Sequence, residues 1–180
     1  STGLQVISGL GFQPKILIFY HASTTASAGE TSVAQNAGPF GFGWAATSTN
    51  NTTSQAAVSL WTEVTTTSDT GSGYSTADSI VMTGLNGGIT GRAQLRAVNS
   101  DGFVLNWSVS AAGAKENIKY LAIGGDDITN ATSSMITLNS TVGDQAINTV
   151  GFKPDFLMFL PISNLNITTG KRTNGTFTGV

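Results

Sequence analysis

The sequence predicts an all-β protein built as an antiparallel β-sandwich, with the start of a second repeat of the same unit behind it. Three observations carry this. Charge is scarce while glycine and small polar residues abound, apolar runs are short and punctuated by turn residues, and one apolar motif returns at a domain-sized interval. Of 180 residues, 39% are hydrophobic and 10% charged, against a usual charged share of about 25%. A chain so apolar and so weakly charged is not disordered. Its 22 glycines, with many Thr, Ser and Asn, favour strands and tight turns over long helices.

Composition also excludes functions. The net charge is −2, and the eight Lys and Arg residues are scattered with no basic run. Nucleic-acid binding needs a concentrated basic face, so no nucleic-acid partner is expected. With no cysteine, neither a disulfide framework nor a thiolate metal site can form. No stretch of about 18 apolar residues occurs, so no membrane span is expected.

The elements follow in chain order. Gly11-Phe12 reads as a turn with one buried anchor, and Pro14 as the first residue of a strand, where its missing N–H does least harm. The apolar run after Pro14 reads as a strand buried on both faces. Phe40 to Ala46 mixes glycine with Phe42 and Trp44, and Ala56 to Val64 is anchored by Val58, Leu60 and Trp61. Ser79 to Thr83 is a short strand. From Arg92 to Val98, Ala93, Leu95 and Ala97 face one way and Arg92, Gln94 and Arg96 the other. Asp101-Gly102 is a hairpin signal leading into Phe103 to Val109. Ile118 to Ile123 follows, and Met135 to Leu138 reads as the last strand of the unit. The stretches Ala22 to Gly38, Thr47 to Gln55 and Ser110 to Asn117 read as loops. Gly71-Ser72-Gly73 and Gly84 to Gly88 read as hairpin turns. About eight short strands at this spacing argue for a sandwich.

The repeat sets the domain boundary. Gly11 to Tyr20 (GFQPKILIFY) returns as Gly151 to Leu160 (GFKPDFLMFL), and Val6-Ile7 corresponds to Ala146-Ile147. An interval of about 140 residues is far too long for a solenoid repeat and is the size of a domain. Residues 1–140 are therefore expected to form one sandwich and 141–180 the opening strands of a second, incomplete copy.

Candidate chemistry is sparse. His21 is the single histidine and stands at a strand end, where a rim position is expected. Glu30, Glu63 and Glu116 are isolated, so the facing carboxylates of a glycosidase are not evident. No Gly-x-Ser-x-Gly elbow is present, and no enzymatic activity or cofactor is expected. Asp126-Asp127, after Gly124-Gly125, is the densest carboxylate pair; it is a weak candidate for a hard cation, against a plain turn whose Asp side chains bond nearby amides. Most aromatics sit at alternating strand positions, where core residues belong. Trp44 and Trp61 flank polar loops and are the best candidates for a ligand or interface, including sugar stacking.

Taken together, the Gly11–Phe19 motif, Phe40-Gly41-Phe42-Gly43, Asp101 to Trp107 (DGFVLNW) and Tyr120 to Gly125 (YLAIGG) resemble a group of tailed-bacteriophage virion proteins. The resemblance covers about residues 4–127. It implies a jelly-roll or concanavalin-A-like sandwich and a capsid-decoration, head-fibre or tail-associated role. It further implies localisation to the virion, other virion proteins (major capsid or tail proteins) as partners, and homo-oligomers, often trimers. The alternative from the residues is a carbohydrate-binding module, an adhesin or receptor-binding domain, using Trp44, Trp61 and the polar loops.

Overall fold

A computed structural model describes residues 2–22, 40–47, 53–64, 68–83, 88–110, 117–134 and 136–159. Among the described residues there are nine strands: β1 Gly3–Ser8, β2 Pro14–Ala22, β3 Phe40–Thr47, β4 Thr53–Val64, β5 Ser68–Ser75, β6 Ile80–Thr83, β7 Ile89–Asn99, β8 Gly102–Val109 and β9 Asn117–Gly124. They form two antiparallel sheets, one of four strands in the order β1-β8-β7-β6 and one of five in the order β5-β4-β3-β2-β9. The expected β-sandwich is what the chain builds. Each sheet is a meander of successive strands, extended by one strand from elsewhere in the chain: β1 beside β8, and β9 beside β2. The jelly-roll detail of the expectation does not follow from this order.

Pro14 is the first residue of β2, where it gives up no central ladder bond, and the pairing with β9 shifts register between Pro14 and Ile16. Beyond it, Leu17, Phe19 and His21 turn inward and are buried, while Ile16, Ile18 and Tyr20 turn outward. The core is Leu17, Phe19, Ala45, Ile80, Met82, Ala93, Leu95, Phe103 and Leu105. Toward β1 and β9 the core carries a row of rings: Phe19 meets Phe103 edge-on at 5.8 Å, and Phe103 meets Tyr120 edge-on at 5.2 Å.

The turn between β1 and β2 is clasped by Asp101, from the β7–β8 hairpin. Its Oδ2 accepts from Gly9 N at 3.0 Å and its Oδ1 from Gly11 N at 2.8 Å, while its own carbonyl accepts from Leu10 N. These amide bonds hold the Asp101 carboxyl below its usual range. Gly11 has φ +75°, a conformation glycine adopts at no steric cost.

Four expectations are corrected. The alternation along β7 breaks at a bulge: Leu95 pairs with Leu105 but Ala97 with Val104, so Arg96 is the extra residue. Ala97 is consequently exposed, and Val98 packs on the core. Gly71-Ser72-Gly73 is not a turn but lies within β5, paired with Ser59 to Trp61 of β4. Thr53 to Gln55 belongs to β4 rather than to a loop. Residues 136–138 form no strand, and Met135 lies outside the described residues. The loop readings for 23–38, 48–52 and 111–116, and the turn at 84–87, also lie outside them.

Candidate functional site

β3 decides the character of the outer surface. Its sequence, FGFGWAAT, alternates large residues with small ones. The glycines take the inner positions because no side chain fits there. A Cβ on Gly41 would fall on the His21 ring, 1.9 Å from Nε2, and one on Gly43 would fall 1.8 Å from the Ser79 carbonyl oxygen. Phe40, Phe42 and Trp44 are therefore turned to the outer face of the five-stranded sheet, correcting the expectation that Phe40 and Phe42 belong to the core.

Cross-strand neighbours complete that face. Tyr20 pairs with Phe42, Ile18 with Trp44, Phe40 with Leu60, and Val58 with both Phe42 and Tyr74. On the other side, Leu121 pairs with Ile18, and Lys119 with Tyr20. The Tyr20 and Phe42 rings stack at 6.4 Å with planes 23° apart, and Phe40 lies 6.4 Å from Phe42. Tyr20 is 40% exposed, Tyr74 52% and Leu121 53%. One end of the face meets its own chain, for Ser133 N, beyond β9, donates to Ser54 Oγ on β4. An antiparallel sheet with a solvated face usually alternates apolar-in with polar-out. The four-stranded sheet does so in part, turning Arg92, Gln94 and Asn106 outward. The five-stranded sheet does not.

The two tryptophans are not brought together. Trp44 lies half-buried on the outer face. Trp61 shares the inward parity of Ala57 and Ser59, sits beyond the last β3–β4 pair, and rests its indole against Gly71. Trp107, also half-buried, packs on the core and donates from Nε1 to Gln5 Oε1 at 2.7 Å.

A cleft of about 590 Å³ opens between the two sheets where β1 and β9 end them. Ile7, Phe19, Phe103, Ile118 and Tyr120 line it, with Gln5 and Trp107 among the lining residues. His21 is not a rim residue: it is 2% exposed, between the sheets, with Nε2 2.9 Å from the Val81 carbonyl. Nearby, Ser59 Oγ and Thr83 Oγ1 share a buried hydrogen bond of 2.7 Å. These groups stitch β2 and β4 to β6. Asp126 and Asp127 are exposed in the turn after β9, where Ile128 N donates to Gly125 O. Among the described residues no three His, Asp or Glu side chains gather as metal ligands would. Comparison with family models, with curated proteins and with solved structures gives no match.

Proposed function

We propose that this chain is a structural subunit of a virion, a capsid-decorating or head- or tail-associated protein that acts through protein–protein interfaces and turns nothing over. The observation that carries the reading is the outer face of the five-stranded sheet. Tyr20, Phe40, Phe42, Trp44, Leu60 and Leu121 spread across it, and an extended exposed apolar surface marks an interaction site. The setting, with major capsid or tail proteins as partners on the virion surface and self-association into oligomers, is what the resemblance of its sequence motifs to tailed-phage virion proteins implies. No cofactor is needed for such a role. The test is co-sedimentation of the purified chain with particles from the lysate that carries its gene. Saturable binding is expected; no binding, together with absence of the chain from those particles, would falsify the reading.

A second reading rests on the row Phe40, Phe42 and Trp44 with Tyr20 stacked beside it. Aromatic faces in line at strand spacing suit the apolar faces of sugar rings, so a glycan is the alternative ligand. A glycan array scored with the chain and with Trp44→Ala tests it: hits lost in the variant support a carbohydrate-binding module, and an array without hits removes it.

A further inference from the structure

Residues 143–159 repeat β1, its turn and the first part of β2 in sequence, and the two glycines of each copy share a positive φ, although 143–159 form no strand. Gly3 and Gly11 have φ of +117° and +75°, and Gly143 and Gly151 have +144° and +79°. Gln5, Ile7, Phe12, Pro14, Leu17 and Phe19 recur as Gln145, Ile147, Phe152, Pro154, Leu157 and Phe159. What does not recur is the environment. β2 lies between β3 and β9. Phe156, Leu157, Met158 and Phe159 are 72%, 58%, 45% and 60% exposed and belong to no strand. A run with the sequence of a central strand and no strand pairing of its own is suited to pair with an open sheet edge.

The edge it fits is β9. Among the described residues that strand ends its sheet and pairs with β2, the strand whose opening Pro154–Phe159 duplicates. Beside it lies the cleft, lined by polar as well as apolar side chains, into which Ile118 and Tyr120 face. A strand laid on β9 sends alternate side chains to opposite faces. By the parity of Leu17 and Phe19, Leu157 and Phe159 enter the cleft against Ile118, Tyr120 and Ile7. Phe156 and Met158 then continue the outer face beside Leu121. Upstream of the segment, Ser133 is tied to Ser54 on β4, and Gln145 bonds Asn139 N and the Thr137 carbonyl.

We propose that the free edge of β9 and the adjoining cleft accept the Pro154–Phe159 segment of a second copy of this chain by β-strand addition. Donor and acceptor are different surfaces, so the contact is either exchanged reciprocally in a two-fold dimer or runs head to tail, closing a ring or extending a row of copies. This goes beyond binding to a particle: the acceptor is the β9 edge and the cleft, which adjoin the outer aromatic face.

The absence of native cysteine permits a direct test on the full chain. A chain carrying Leu121→Cys is mixed with one carrying Phe156→Cys and mildly oxidised, and the expected product is the mixed disulfide dimer. By sedimentation, Leu157→Asp with Phe159→Asp weakens self-association about tenfold or more, since two apolar contacts are lost. Circular dichroism confirms that these exposed substitutions leave the sandwich folded. A chain that stays monomeric through the micromolar range overturns the proposal. So does a disulfide that forms only within a doubly substituted chain, or self-association unchanged by the Asp pair. None of these results affects binding to particles, which is read separately.

Discussion

Replacing Phe103 by alanine removes a ring of one sheet that packs on Phe19 and Tyr120 of the other. The side chain is fully buried, at 0% exposure, between Phe19 at 5.8 Å and Tyr120 at 5.2 Å. Truncating a buried phenylalanine costs about 3–5 kcal/mol, as lost transfer free energy plus the cavity left behind. The edge-on pairs place this site toward the upper end, since each contributes about 0.5–1.5 kcal/mol beyond area burial. A domain's whole stability is about 5–15 kcal/mol, so the variant keeps a small margin. Its melting midpoint falls by about 10–15 °C for a unit of this size. The assay is thermal and urea unfolding by circular dichroism, with Phe42→Ala as comparison. Phe42 lies on the outer face and is only half-buried, so its truncation costs less than half as much. Equal losses in the two variants, or a Phe103→Ala loss below about 1 kcal/mol, would refute the placement of Phe103 between the two sheets.

Two further outcomes follow from named contacts. Asp101 is held below its usual range by the Gly11 and Gly9 amides, so its contribution is present at neutral pH and is lost as pH falls through its depressed folded value. Asp101→Asn therefore unfolds at lower urea than the parent at neutral pH, and the two midpoints converge below about pH 4; a constant gap down to strong acid contradicts the clasp. Gly43→Ala drives a methyl group against the main-chain oxygen of Ser79, which cannot swing aside, and costs about 1–3 kcal/mol. Gly73→Ala, with nothing within 4 Å of the added carbon, is the tolerated control in the same thermal melts.

Much of the fold was legible because its elements obey local rules. Pro14 opening β2, the two-residue turn closing at Gly102, and the paired runs of β7 and β8 all follow from turn chemistry and period-two patterning. β1 and β5 were not legible. Gly3–Ser8 is short and half polar, and Ser68–Ser75 has the composition of a turn. Both are made strands by their neighbours, β8 and β4. The outer face was hidden for a related reason. In FGFGWAAT Phe40 and Phe42 sit at alternating positions, the pattern of core residues, and only the tertiary facts that the His21 ring and the Ser79 backbone fill the inner side of β3 turn them outward, to the face of Trp44. Of the candidate site residues, Trp44 lies on that face, whereas Trp61 lies on the inward parity over Gly71, and Asp126 and Asp127 stand in an exposed turn. Tyr20 and Leu121, which complete the face, looked in the sequence like parts of buried runs. Their exposure depends on sheet pairing that no local pattern records.

The central claim is that the outer face of the five-stranded sheet is where this protein acts. The measurement that tests it most directly is particle co-sedimentation of the chain bearing Tyr20→Lys and Leu60→Lys, beside the unsubstituted chain. Both side chains lie on that face, Tyr20 exposed and Leu60 half-buried, so the sandwich keeps its core and its melting midpoint within a few degrees. The account predicts that the folded variant loses particle binding about tenfold or more, because two charges enter an apolar contact. A folded variant that binds particles as well as the parent contradicts it.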